Sequence, residues 1–164
     1  MELQFASAKE CDIERIYDSN KELIEAYEDV ENIDYDKVLQ WVLKKIKTRI
    51  DEYVAVFLDG RKVGYYHFYP SEGKMELDDL YIFPEFRSKG IGSAIIQKCM
   101  EESDSTIFLY VFAKNVHAIA LYEKLGFKIV KNIRDTRYIM EREAGMHGCS
   151  RVLRDQQAHE HKKS

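Results

Sequence analysis

FPEFRSKGIGS, residues 83–93, joins two apolar stretches, MELDDLYI at 75–82 and AIIQKCM at 94–100. The first is patterned as a strand, the second as a helix. A turn between them needs one glycine at most, yet Gly90 and Gly92 both stand here, behind Arg87 and Lys89. A helix that starts near Gly90 leaves the N–H groups of its first turn without intrahelical partners, at the positive end of its dipole. Glycine lets an anion reach that backbone without meeting a Cβ atom. Arg87 adds a charged fork and Lys89 a point charge. The plain alternative is a tight turn with solvated basic residues. The Walker pattern G-x-x-x-x-G-K-[ST] is absent, and Ile95 holds the place of a dinucleotide fingerprint's third glycine.

Outward from this loop the chain alternates strand and helix patterns. Leu3 to Ala6 is a short strand. Ile13, Ile16, Tyr17, Leu23, Ile24 and Tyr27 give a helix over 10–28. Val38, Trp41, Val42, Ile46 and Ile50 give a second, starting near Asp34 or Asp36. YVAVFLDGRKVGYYHFY predicts a hairpin turning at Asp59-Gly60, and residues 71–74 turn into a third strand over 75–83. After a helix over 91–102, TIFLYVF at 106–112 is apolar enough for a central strand buried on both faces. A helix over 115–125 stops at Gly126, FKIVKNI resumes a strand, and RYIME at 137–141 is the last. The order β-α-α-β-β-β-α-β-α-β-β predicts an α/β (α+β) fold. Its central sheet is mixed, mostly antiparallel and of about seven strands, with about four helices packed on it.

The 164 residues suit one domain, placed at 1–141, with a polar tail at 142–164 that holds a short helix near 151–157. The HEHKKS ending is better explained as a solvated terminus than as a ligand set, and no metal is expected. At 45% apolar, 33% charged and a formal net charge of −4, the chain is not a general nucleic-acid binder. The opening MELQFASAKE lacks the pattern of a secretory signal, and no apolar run nears the roughly 20 residues that span a membrane. Cys11, Cys99 and Cys149 are odd in number and without ligand spacing, which points to a reduced, cytoplasmic setting.

RSKGIGS fits the [Q/R]-x-x-G-x-[G/A] loop of the GNAT family of N-acetyltransferases, between the expected strand and the expected helix. NVHAIALYEKLGFKIV, residues 115–130, resembles the family's asparagine-to-LYEKLGF segment. With the order of elements, the resemblance covers roughly residues 3–141. It implies a sheet with two splayed strands and acetyl-CoA as acetyl donor. By position, Arg87, Ser88, Lys89, Gly90, Ile91, Gly92 and Ser93 hold the pyrophosphate, and Leu80, Tyr81 and Ile82 pair with the pantetheine arm. A bulge near Tyr81 aims an N–H at the thioester carbonyl. Asn115 touches the arm, caps its helix, or does both. Tyr122 protonates the departing thiolate, the alternative being an ordinary packed tyrosine.

Attack on a thioester needs a neutral amine, and a lysine-like amine is neutral only about once in 10³ at pH 7. A base is therefore wanted near the thioester. Strict alternation puts Glu76 and Asp78 on one face of their strand and Asp79 on the other, unless a bulge reverses it. LDDLYI resembles the matching strand of spermidine/spermine acetyltransferases, which implies Asp78 as the acid/base residue. Glu76 and a relayed water stay open as alternatives. The stretch ELIEAYEDVENIDYD, residues 22–36, is rich in acid and has no Lys or Arg. With Glu28, Asp29 and Glu76 it suits a small cationic amine such as a polyamine, or else is a solvated face. The expected activity is direct acetyl transfer to a primary amine in a ternary complex. A protein or peptide amine is the alternative acceptor, and a non-catalytic acyl-CoA sensor the alternative of another class. The resemblance leaves a homodimer open, with the C-terminal strand and tail as its edge.

Overall fold

A computed structural model describes residues 1–144. The strands are β1 (Leu3–Ser7), β2 (Tyr53–Leu58), β3 (Arg61–Ser71), β4 (Lys74–Ile82), β5 (Ile107–Phe112), β6 (Lys128–Ile133) and β7 (Arg137–Arg142). The helices are α1 (Ile13–Tyr27), α2 (Tyr35–Arg49), α3 (Ile91–Glu102) and α4 (Val116–Lys124). One seven-stranded sheet runs β1-β2-β3-β4-β5-β7-β6, antiparallel throughout except where β4 meets β5. The expected fold class is therefore observed. The proposed tail, its short helix and the HEHKKS ending fall almost wholly outside the described residues.

The turns come from residues that accept left-handed backbone. Asp59 and Gly60 have φ of 51° and 75°, and Glu72 and Gly73 have 52° and 79°, the two-residue turns that suit twisted hairpins. Gly126, at φ 96°, ends α4. Asp34 accepts the Lys37 N–H at 3.3 Å and so fixes the start of α2. Leu39, Val42 and Ile46 bury one stripe of that helix. Consecutive residues of β3 face opposite sides: Tyr66 lies on the side of α3 and feels the charge of Cys99, while His67 lies on the side of α2 and feels Arg49 and Lys45. The helices thus sandwich the sheet, and the core fills both interfaces.

The structure corrects four expectations. Trp41 is among the apolar residues that mark α2, but it is 62% exposed, because the buried stripe of the helix runs through Leu39, Val42 and Ile46 instead. β5 is not buried on both faces: Tyr110 is 46% exposed, since one face of the strand borders a cleft. β7 lies between β5 and β6, bonded on both sides, so it offers no edge to a second copy. The edges are β1 and β6. Asp79 leaves the face that strict alternation gives it, owing to a bulge described below.

Candidate active site

β4 and β5 pair only at Met75–Ile107 and Glu76–Phe108. Beyond that point β5 stays bonded to β7 along its length, while the rest of β4 keeps only β3. The sheet therefore opens into a wedge on the sides of Asp78–Ile82 and Leu109–Phe112. Gly64 lets β3 follow β4 through this region, since a Cβ there would meet the Tyr81 carbonyl oxygen at 2.2 Å. The wedge is part of a cleft of about 1900 Å³. Every residue anticipated as a site residue lines it except Lys89.

At one end of the cleft lies the turn into α3. Gly90, at φ 81°, stands just before the helix, and the first helical bond runs from the Ala94 N–H to the Gly90 carbonyl at 3.0 Å. The N–H groups of Ile91, Gly92 and Ser93 are thus left over by the helix and lie in the cleft wall. Ser88 also takes positive φ, 62°, which bends the loop before the helix. A Cβ on Gly92 would meet only Leu121, at 3.6 Å, so protein packing alone does not demand a glycine. Arg87 donates its Nε to the Ile82 carbonyl at 2.9 Å and lies over the Tyr81 ring, which fixes the guanidinium at the rim. Lys89 turns aside, over the Phe86 ring. These donors suit a diphosphate.

The other end is a floor built by β2, β3, β4 and α2. In the β3–β4 ladder Tyr65 pairs with Tyr81 and His67 with Asp78, so Tyr66 faces two residues, Asp79 and Leu80. This is the bulge, two residues before the expected place, and Asp79 adopts φ 50° within it. Asp79 consequently joins Asp78 in one cluster. Lys45 from α2 lies 2.7 Å from Asp78 Oδ2 and 3.4 Å from Asp79 Oδ2, and Asp79 also accepts from the Tyr53 hydroxyl. Burial works to lower the Lys45 pKa, but the two carboxylates outweigh it and raise it, so the ammonium stays charged. Burial and the Asp78 charge raise Asp79.

Glu76 differs from this pair. It is 8% exposed, and burial together with Asp78 pushes its pKa up to about 7. No hydrogen bond engages its carboxylate among the described residues. Beside it, His67 is fully buried between the Tyr53 and Tyr69 rings, at 4.4 and 4.1 Å, and Arg49 lies 4.1 Å over Tyr69. Burial depresses His67 to about 4, and its ring nitrogens make no hydrogen bond although Nε2 is 3.4 Å from Glu52.

Tyr122 lines the cleft from α4, packed on Phe127 at 5.9 Å, and burial pushes its hydroxyl up to about 12. Asn115 caps α4 by accepting the Ala118 N–H at 3.3 Å while still lining the cleft. Tyr81 sends its hydroxyl to Glu22, at 2.7 Å, so its backbone is the part that faces the wedge. Glu28 and Asp29 line the cleft beyond the end of α1. Sequence reasoning missed Lys45, Arg49 and Tyr69. The one available signal was the spacing of Trp41, Lys45 and Arg49, which puts a second stripe along α2 beside its apolar one.

Residues 12–127 match the acetyltransferase (GNAT) family. The chain belongs to this family. It is 27% identical over 88 residues to a spermine/spermidine N(1)-acetyltransferase of Bacillus subtilis, covering 46% of this chain and 58% of that one. It therefore spans under two thirds of that relative's length. It is also 36% identical over 55 residues to a ribosomal protein bS18-alanine N-acetyltransferase of Escherichia coli, covering 31% and 37% of the two chains. In fold it is similar to a PaiA N-acetyltransferase from Thermoplasma acidophilum, solved in complex with coenzyme A. The TM-score is 0.66 at 20% identity, over 87% of this chain and 99% of the other. Among the described residues no helix is long and apolar enough to cross a membrane, and no group of side chains is arranged to hold a metal ion.

Proposed function

We propose that this GNAT chain transfers an acetyl group from acetyl-CoA to a primary amine, with Glu76 as the base and Tyr122 as the acid. The observation that carries the reading is the wedge. One sheet opens between β4 and β5, with the unpaired N–H groups of α3 at one end and a buried, unpartnered carboxylate at the other. Bound there, the donor supplies an acetyl thioester whose pyrophosphate meets Ile91, Gly92 and Ser93 and whose pantetheine amides pair with Leu80, Tyr81 and Ile82. Arg87 adds charge at the pyrophosphate, and Asn115 steadies the arm beside its capping role.

Glu76 is the better base of the two strand carboxylates. Each Asp78 oxygen already accepts one hydrogen bond, from Lys45 at 2.7 Å and from the Asp79 N–H at 2.9 Å, whereas the Glu76 carboxylate accepts none among the described residues. A carboxylate that titrates near 7 matches the task of taking a proton from an amine at neutral pH. The amine nitrogen forms its bond to the acetyl carbon as the carbon–sulfur bond breaks. An amine that arrives as a cation gives its first proton to Glu76, and the second, shed as the amide forms, replaces the one that Tyr122 gives to the leaving sulfur. Glu28 and Asp29 at the rim favour an amine that arrives as a cation. The thiols of Cys11 and Cys99, both unpaired among the described residues, fit a reducing, cytoplasmic setting.

The test is thiol release at saturating acetyl-CoA across polyamines, amino acids, aminoglycosides and peptides. Turnover with any of these, lost in Glu76→Gln, supports the reading. Acetyl-CoA binding without turnover on any amine replaces it with an acyl-CoA sensor. Turnover confined to peptides makes the acceptor a protein amine.

A further inference from the structure

The floor of the acceptor end contains three carboxylates, and two of them are already occupied. We infer that Lys45 is a built-in counter-ion that determines which amines fit: it fills Asp78 and Asp79, leaves Glu76 alone to meet the acceptor, and so excludes a second ammonium at that depth. This rests on the acetyl-transfer reading above and narrows its substrate class. The lysine is not a surface residue that happens to lean inward. Its side chain is only 17% exposed, its ammonium sits 2.7 and 3.4 Å from the two carboxylates, and its stem runs along the cleft wall from α2.

Charge accounting shows why this matters. Without Lys45, Glu76, Asp78 and Asp79 present three acids to an incoming ligand, a site that attracts a diamine or polyamine. With Lys45 in place, an acceptor's reacting nitrogen finds Glu76, while the place between Asp78 and Asp79 where a second ammonium three carbons behind it would pair is taken by the Lys45 ammonium, which also offsets one of their two charges. Arg49, held over Tyr69 at 4.1 Å, is paired with Glu52 at 2.5 Å and so adds little net charge to the floor. The acceptor favoured by this arrangement has one cationic nitrogen, with a neutral segment at least several atoms long behind it. Further charges are tolerated only out at Glu28 and Asp29.

A matched pair of acceptors tests this: propylamine and 1,3-diaminopropane, compared in wild type, Lys45→Met and Lys45→Arg. The ratio of kcat/KM for diamine over monoamine is expected to rise about tenfold in Lys45→Met, mainly through KM, and to stay near wild type in Lys45→Arg. The double variant Lys45→Met/Asp79→Asn removes the surplus negative charge and keeps the question open to measurement if the single variant folds poorly. It is expected to raise the ratio in the same direction, because Asp78 is freed. Calorimetric binding of both amines to the coenzyme A-loaded proteins gives the same comparison without turnover. An enzyme that binds amines as expected but never acetylates them sinks the acetyl-transfer reading and leaves the Lys45 inference standing. A ratio unchanged in both Met variants, an equal rise in Lys45→Arg, or no amine binding by any variant overturns the inference.

Discussion

The two ends of the cleft are made by different means. The α3 end is made of backbone: N–H groups of consecutive residues, held by Gly90 in left-handed conformation and bordered by Arg87. The floor is made of side chains from four separate elements, Tyr53, His67, Tyr69, Glu76, Asp78, Asp79 and Lys45, brought together by a bulge and by the packing of α2. A site built of consecutive amides is local in sequence and indifferent to which side chains surround it. A site built of dispersed side chains depends on register, and one residue's slip changes its chemistry. Substitutions should therefore separate the two ends cleanly: changes at the floor should act on the chemical step and its pH dependence, and changes at the loop on donor affinity.

The largest effect is expected at Glu76. Glu76→Gln keeps the shape and removes the proposed base, so kcat should fall about 10²–10³-fold and the inflection near pH 7 should vanish from the rate profile. Acetyl-CoA affinity should stay within about twofold. The same change has a stability signature of opposite sign. Glu76 holds its proton up to about 7 in the fold, against an ordinary 4.5, so the folded chain binds more protons than the unfolded one across that window. Stability contributed by this group is present below 4.5 and declines as pH rises through about 7. Glu76→Gln should accordingly be more stable than wild type at pH 8, by on the order of 2 kcal/mol in urea denaturation. A variant that loses turnover and also loses stability would count against the buried, unpartnered carboxylate.

At the opposite end, Gly92→Glu should weaken acetyl-CoA binding about 10²-fold by calorimetry, through blockage and charge repulsion near the pyrophosphate. Gly92→Ala should leave the fold intact, because its Cβ meets only Leu121 at 3.6 Å, but should weaken acetyl-CoA binding about tenfold, since the methyl stands where the diphosphate approaches. Both variants should leave kcat at saturating donor close to wild type. If Gly92→Ala bound acetyl-CoA as tightly as wild type, the diphosphate would not lie against Gly92.

This contrast also explains what could be read from sequence. Two-residue turns at Asp59-Gly60 and Glu72-Gly73, the stop at Gly126 and the loop before α3 were all legible, because each is fixed by residues adjacent in the chain. The faces of β4 were legible as far as Glu76 and Asp78. Asp79 was not, since period two holds only while the ladder is unbroken, and the bulge opposite Tyr66 is set by tertiary packing. Lys45 was hidden for the same reason: a lysine in a polar helix stripe looks solvated until the partner strand is known. The acidic stretch at 22–36 was legible as charge, but the cation that offsets the inner carboxylates came from α2.

Tyr122 lines the same cleft from α4, and its loss should be milder. Thiolate is a fairly good leaving group, so Tyr122→Phe should lower kcat about tenfold with little change in KM for acetyl-CoA. The hydroxyl makes no hydrogen bond among the described residues, so the fold should lose little. Unchanged kcat in the variant would reduce Tyr122 to packing against Phe127.

The smallest effect concerns what supports the floor. His67 is fully buried, stacked between Tyr53 and Tyr69, and titrates near 4 instead of 6.5. Burial prevails over the nearby Glu52 carboxylate, so the imidazole under the active-site acids is neutral at working pH. As pH falls below 6.5 the unfolded chain takes up a proton that the folded chain refuses until about 4, and stability is lost across that window. His67→Phe keeps a flat ring in the stack and removes this coupling. Between pH 7 and 5.5, wild type should lose on the order of 1 kcal/mol more than the variant, read from paired urea titrations. Parallel curves would mean that His67 titrates in the fold as it does in the unfolded chain, which would place an imidazolium near Lys45 at acidic pH.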